Sequence, residues 1–112
     1  GRVLVKDTGS NRPTIVGDTW VDLEEVPMTD IKVGDPIMFE HSKRGTISAH
    51  PVKRIKYFDG RPYFITQGSS NRDEDDIKVT AKEFIGRWRV SPAQQPFDPS
   101  SPIQLPAKIN VP

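Results

Sequence analysis

The pattern of hydrophobic and polar positions along the chain predicts short β-strands separated by turns. β-branched and aromatic residues recur in short runs, and each run ends at residues that favour turns. Eleven prolines and eight glycines interrupt the chain so often that long helices have little room. The sequence therefore predicts a mostly β fold, with strands at 2–7, 19–26, 36–40, 48–57, 61–67 and 84–90 and a further apolar stretch at 77–80.

Three turn signals indicate how these strands are connected. Asp59-Gly60 lies between two β-prone runs, which is one of the stronger local signals for a β-hairpin. Val33-Gly34-Asp35-Pro36 predicts another turn, directly before the third strand. Thr8-Gly9-Ser10-Asn11 predicts that the first strand leads into a sharp loop at Ser10.

The length and composition predict one domain followed by a tail. A chain of 112 residues is long enough for a single hydrophobic core. We therefore place one β domain at 1–90. Residues 91–112 contain six prolines and should be extended. Such a tail is typical of a linker or a segment lying on the surface, and a docking arm for an assembly partner is the alternative.

Charge and cysteine content exclude several classes of function. Sixteen basic and fifteen acidic side chains leave a net charge of +1, so no nucleic-acid partner is expected. The absence of cysteine excludes disulfides, zinc–thiolate sites and thiol catalysis. His41 and His50 lack the close spacing of metal-binding histidine pairs, so we expect neither a metal nor another cofactor.

Hydropathy favours a soluble chain. No apolar run approaches the ~20 residues that span a membrane. The chain begins at Gly1 and not at Met, as would an excised domain of a membrane-anchored protein. A membrane partner is therefore expected only if such an anchor precedes the sequence, and the cellular compartment stays open.

Ser10 and His50 are the candidates for chemistry. A serine in a turn after a strand can project its hydroxyl from a rigid scaffold, although serine also occupies turns for backbone hydrogen bonding. Histidine is the usual general base for a hydroxyl nucleophile, although a structural histidine is common. Carboxylates that could support an imidazolium lie in the acidic stretch, at Asp73, Asp75 and Asp76.

Five segments carry a resemblance to a known family, in that family's order. Ser10-Asn11-Arg12-Pro13-Thr14, with Gly17-Asp18 downstream, resembles the Ser-Met-x-Pro-Thr and Gly-Asp box of type I signal peptidases and their LexA-like relatives. Ile47-Ser48-Ala49-His50, followed by Val52 and Arg54-Ile55, is similar to the His-Arg-Val box of the archaeal and endoplasmic-reticulum branch. The other segments that resemble family boxes are 30–39, 63–71 and 84–87.

The resemblance implies a fold and an activity. The expected fold is a curved antiparallel β-sheet or partly open barrel of the signal peptidase and LexA-like type. The expected activity is that of a serine endopeptidase that cleaves a protein or peptide substrate after small residues, at a site that includes Asn11 and Pro13. Ser10 is then the nucleophile, His50 the base and Asp75 the acid that supports the base. The backbone N–H of Ser10 is the first donor to the oxyanion.

Some roles stay open within this interpretation. Lys53 is an alternative base, because Val52-Lys53-Arg54-Ile55 also resembles the Lys-Arg box of the bacterial enzymes. Asp73 and Asp76 are alternative acids. A structural or assembly protein on the same fold is the alternative to an enzyme, and a self-cleaving β domain of the Hint type fits less well.

Three residues depart from the family's boxes. Asn11 stands where most members have Met, Pro51 where the residue after the histidine is Arg, and Ser69 where the residue after the glycine is Asp. Pro51 lacks a backbone donor and favours extended backbone at His50. None of the three changes replaces Ser10 or His50.

Overall fold

The described part of the chain contains six β-strands. The computed structural model describes residues 1–6, 8–10 and 17–91. The strands are β1 (Arg2–Val5), β2 (Thr19–Glu24), β3 (Pro36–His41), β4 (Thr46–Phe58), β5 (Arg61–Thr66) and β6 (Phe84–Val90). A single 3-10 turn, Met28–Asp30, lies between β2 and β3.

The strands form one antiparallel sheet in the order β1-β2-β6-β3-β4-β5. Every neighbouring pair is antiparallel, so the predicted mostly β, antiparallel architecture is confirmed. The sheet is not closed into a barrel, because β1 and β5 lie at its two ends and do not pair with each other. An open sheet agrees with the expected antiparallel β-sheet, and its assignment to the signal peptidase and LexA-like type stays a prediction.

Alternating side chains on the strands bury two apolar clusters. In β3, Ile37 and Phe39 belong to one cluster, whereas Met38 between them belongs to the other. This alternation follows from the two-residue period of a strand. The first cluster also contains Ile31, Val52, Phe64, Ile77 and Val79, and the second also contains Val21 and Trp88. The indole N–H of Trp88 donates to the Ile37 carbonyl at 3.0 Å, so this buried donor is paired.

The length of β4 determines where His50 lies. The first half of β4 pairs with β3, with His50 opposite Ile37, and the second half pairs with β5. A register shift between Val52 and Arg54 separates the two halves. His50 therefore lies close to the point where β4 changes its partner strand.

The predicted hairpin at Asp59-Gly60 is confirmed. Asp59 and Gly60 have φ values of 53° and 74°, and Phe58 pairs directly with Arg61. Two consecutive residues with positive φ are the geometry of a type I′ turn, whose twist matches that of the flanking strands.

The other strand predictions differ from the structure mainly at their ends. The stretch 77–80 forms only an isolated bridge between Val79 and Phe64. Of the predicted tail 91–112, only Ser91 lies within the described residues, and its backbone N–H donates to the Trp20 carbonyl at 3.0 Å. In the part of the chain that the structure describes, no helix is long and apolar enough to cross a membrane.

Candidate active site

Ser10 and His50 lie in contact, although 40 residues separate them in the sequence. The Ser10 Oγ is 3.1 Å from the His50 Nε2, within hydrogen-bond distance. β1 leads the chain to the turn that carries Ser10, where Gly9 has a φ of 86°. Gly9 thus supplies the left-handed backbone that other residues adopt only with strain.

The other ring nitrogen of His50 contacts Asp75. The His50 Nδ1 is 2.6 Å from the Asp75 Oδ2. An ionised carboxylate only accepts hydrogen bonds, so the Nδ1 carries the hydrogen. In the neutral imidazole the Nε2 is then an acceptor, and it faces the Ser10 hydroxyl. Asp75 thus sets the tautomer that a base for Ser10 requires.

Both side chains of this contact are shielded from solvent. The side chains of His50 and Asp75 are 15% and 13% exposed. Burial by itself would raise the pKa of the Asp75 carboxyl, but the hydrogen bonds from His50 and Thr66 outweigh burial and hold this pKa below its ordinary value. Asp75 is therefore an anion over the whole neutral range.

Thr66 fixes the position of Asp75 with two contacts. Its hydroxyl donates to the Asp75 Oδ2 at 2.7 Å, and its carbonyl accepts the backbone N–H of Asp75 at 2.7 Å. Thr66 is fully buried in β5. The carboxylate is therefore attached to the sheet, although it lies on a loop.

Thr8 adds a further hydroxyl beside Ser10. The Thr8 Oγ1 is 3.0 Å from the Ser10 Oγ. Because the Ser10 hydroxyl hydrogen faces His50, the Thr8 hydroxyl is the donor in this pair. One directed chain of hydrogen bonds thus runs from Thr8 through Ser10 and His50 to Asp75.

The backbone of the Ser10 turn is bound by the loop 68–71. The backbone N–H of Ser70 donates to the Ser10 carbonyl at 3.1 Å, and the Ser70 hydroxyl donates to the Gly9 carbonyl. Gly68 is buried so close to this turn that a Cβ there would lie 2.6 Å from the Ser10 carbonyl oxygen. The lack of a side chain at Gly68 therefore permits the contact.

A groove of about 950 Å³ is lined by Thr8, Ser10, His50, Ser70 and Asp75, among others. Its wall includes residues 3–5 of β1 with the following Lys6, residues 46–50 of β4 and the loop 70–76. Four apolar residues of this lining belong to the second core cluster or pack against it, namely Met38, Val3, Val5 and Ala49. Ser10 is therefore accessible from a concave surface with an apolar part.

The structure brings together Ser10, His50 and Asp75 and separates them from the alternatives. Lys53 lies at the register shift of β4, is exposed and does not line the groove. Asp76 forms an exposed ion pair with Lys43 at 2.6 Å. Asp73 lines the groove but is exposed and has no hydrogen bond within the described part of the chain. The remaining candidates, Asn11 and Pro13, lie outside the described residues.

Sequence reasoning missed Thr8, Thr66 and Ser70. Thr8 could have been found from its place two residues before Ser10, since it shares that turn. Thr66 ends β5 and Ser70 lies in the loop after it, and the contacts of both depend on the tertiary fold. As for metals, no group of three His, Asp or Glu side chains in residues 1–6, 8–10 and 17–91 is arranged to hold an ion.

Comparison of the chain with models of protein families, with curated proteins and with solved structures finds no match.

Proposed function

We propose that this protein is a serine endopeptidase in which Ser10 is the nucleophile and His50 the general base. The observation that carries the proposal is the continuous contact from Ser10 through His50 to Asp75, with distances of 3.1 Å and 2.6 Å. A nucleophile, a base and a group that orients the base are the parts that hydroxyl-based acyl transfer requires. The resemblance to type I signal peptidases supports the same three roles.

The chemistry follows from the directions of these hydrogen bonds. The Ser10 Oγ attacks the carbonyl carbon of the scissile peptide bond, and its proton moves to the His50 Nε2. The resulting imidazolium is stabilised by the Asp75 carboxylate and gives this proton to the leaving amine as the C–N bond breaks. Water, activated in turn by His50, then attacks the acyl ester on Ser10 and releases the carboxylic acid product.

Two donors are available for the oxyanion that forms during attack. The first is the backbone N–H of Ser10, the donor that the family resemblance implies. The second is the Thr8 hydroxyl, 3.0 Å from the Ser10 Oγ. Once the Ser10 Oγ is bonded to the carbonyl carbon of the substrate, it is a poorer hydrogen-bond acceptor. The Thr8 hydroxyl can then donate to the oxyanion on that carbon.

The groove suits an extended peptide. β1 is an edge strand of the sheet and lines the groove. The edge of β1 that pairs with no other described strand can hydrogen-bond a substrate strand. Ala49 and Met38 provide apolar contacts beside the reacting groups. Cleavage after small residues, as the family resemblance implies, is the specificity that we propose.

Labelling with a serine-directed phosphonylating reagent tests the proposal. The protein is incubated with a peptidyl phosphonate that has alanine next to the reactive phosphorus, and the adduct is located by mass spectrometry. We expect the adduct on Ser10, and we expect His50→Ala to slow labelling by about 10³-fold or more. Lys53→Ala is the matched control and should label at the wild-type rate.

The outcomes separate the proposal from its alternatives. Fast labelling of the His50→Ala variant together with slow labelling of Lys53→Ala would make Lys53 the base. Absence of any Ser10 adduct, with no cleavage of a peptide library rich in small residues, would favour the structural or assembly protein.

A further inference from the structure

The turn that carries Ser10 is held by loop 68–71, which donates hydrogen bonds to the carbonyls of Gly9 and Ser10. The Ser70 hydroxyl binds the Gly9 carbonyl, and the Ser70 backbone N–H binds the Ser10 carbonyl at 3.1 Å. Ser70 thus donates hydrogen bonds to two consecutive carbonyls of this turn. A side chain without a hydroxyl at position 70 would leave the Gly9 carbonyl without this donor.

The loop that carries Ser70 is itself well connected. The Asn71 backbone N–H donates to the Gly68 carbonyl at 2.9 Å, and the Gln67 side chain donates to the Asn71 carbonyl at 2.7 Å. The Gln67 backbone N–H also donates to the Pro51 carbonyl at 3.2 Å, next to His50 in β4. Through Gln67, loop 68–71 therefore connects the Ser10 turn with the strand that carries His50.

Because the peptide bond is planar, the contact of the Ser70 hydroxyl with the Gly9 carbonyl also affects the direction of the Ser10 N–H. In a trans peptide the C=O and the following N–H point in opposite directions. The Gly9 carbonyl points at Ser70, so the Ser10 N–H points away from loop 68–71. This N–H is the oxyanion donor of the proposed reaction, and its direction depends on which partner the Gly9 carbonyl binds.

We propose that Ser70 is a positioning residue, whose hydroxyl orients the Gly9–Ser10 peptide so that the Ser10 N–H is preorganised as an oxyanion donor. The inference rests on the proposed function, since it concerns the same Ser10. It assigns to Ser70 a role in the transition state and none in ground-state substrate binding, because the oxyanion forms only during attack.

Three variants test this role. Ser70→Ala removes the hydroxyl, and Ser70→Thr keeps it at an exposed position that has room for a methyl group. Ser69→Ala is the matched control, because the exposed Ser69 side chain makes no hydrogen bond to another described residue. The readouts are kcat and KM on a cleaved peptide and the affinity for a peptide boronate that forms a tetrahedral adduct.

We expect Ser70→Ala to lower kcat and the boronate affinity by about 10²-fold with KM little changed, since misplacement of a catalytic group by ~1 Å has an effect of that size. Ser70→Thr and Ser69→Ala should behave like the wild type. A kcat for Ser70→Ala within about twofold of that of Ser69→Ala, or a loss that falls on KM alone, overturns the proposal.

Nuclear magnetic resonance separates failure of this inference from failure of the proposed function. The carbonyl ¹³C shift of Gly9 and the amide ¹⁵N shift of Ser10 report the contact without any turnover. We expect both shifts to change in Ser70→Ala and not in Ser69→Ala. If the shifts do not change in Ser70→Ala, the positioning role is overturned even in an active enzyme. If the shifts change but the wild type neither cleaves nor labels, the peptidase proposal is overturned, and with it the catalytic role of Ser70.

Discussion

The Oδ2 of Asp75 lies 2.6 Å from the His50 Nδ1 and 2.7 Å from the Thr66 hydroxyl oxygen. One carboxylate oxygen thus accepts two hydrogen bonds, one from the proposed base and one from a buried side chain of β5. The imidazole cannot rotate away without breaking the first contact, and the carboxylate cannot follow it without breaking the second. The orientation of His50 is therefore determined by the sheet.

Replacement of Asp75 by Asn should remove the control over the His50 tautomer. An amide can present its NH₂ to the Nδ1, which favours the hydrogen on Nε2 and leaves no acceptor for the Ser10 proton. We expect the labelling rate at Ser10 to fall by about 10³–10⁴-fold. Asp73→Asn is the control, and an equal loss in both variants would argue against a specific role of Asp75.

The stability of the fold should depend on the ionisation of Asp75. The pKa of this carboxyl is lower in the folded than in the unfolded state, so the unfolded state binds the proton more readily as the pH falls. The stabilisation is thus present above the ordinary pKa of aspartate, 3.8, and is lost as the pH falls through the lower folded value.

Chemical denaturation at several pH values measures this effect. The free energy of unfolding of the wild type should exceed that of Asp75→Asn at pH 6, and the difference should shrink as the pH falls below about 4. Ser69→Ala, which removes no titratable group, is the control and should show no such change with pH. A difference between wild type and Asp75→Asn that stays constant down to pH 2.5 would contradict the prediction.

The Thr8 hydroxyl should contribute to the rate and little to stability. Thr8 is exposed, and its hydroxyl lies 3.0 Å from the Ser10 Oγ. Loss of one donor to an oxyanion typically costs about 10²–10³-fold in rate. We expect Thr8→Val to show such a loss in kcat and Thr8→Ser to keep most of the activity. Equal rates for the two variants would exclude Thr8 as a donor.

Gly68→Ala should disturb the nucleophile turn through a steric contact. The added Cβ would lie 2.6 Å from the Ser10 carbonyl oxygen and 2.5 Å from the Asn71 Nδ2. The Asn71 side chain can move aside, but the Ser10 carbonyl can move only with its turn. We expect a destabilisation of about 1–3 kcal/mol and a loss of Ser10 labelling. Both are measured against Ser69→Ala, and wild-type values for Gly68→Ala would show that the turn adapts.

Local patterns were sufficient to predict the strands. The range 84–90 was predicted as a strand and is β6, because its alternating side chains carry the signal by themselves. The hairpin at Asp59-Gly60 was also predictable, since a two-residue turn with positive φ depends on the residues in it. The structure of the stretch 77–80 was not predictable in this way. Its apolar residues Ile77 and Val79 pack in the same cluster as Phe64, but Val79 forms only an isolated bridge with Phe64 and no strand.

The order of the strands and the choice among the carboxylates depended on the whole chain. Ser10 and His50 are 40 residues apart, and His50 and Asp75 are 25 apart, so no local pattern brings them together. The family resemblance favours Asp75, but the local pattern of the acidic stretch does not distinguish it from Asp73 and Asp76. Only Asp75 is attached to Thr66 through its backbone N–H, and this contact turns its side chain toward His50.

The sequence by itself thus determined that the chain is mostly β and where its strands and tight turns lie. It also identified Ser10 and His50 as the candidates for chemistry. These properties follow from side-chain size, polarity and backbone preference within a few residues. The tertiary structure decided that the sheet stays open, that Lys53 lies away from the groove, and that Ser70 binds the Ser10 turn. Those outcomes depend on register and packing between segments distant in the chain, where contact is determined by the fold as a whole.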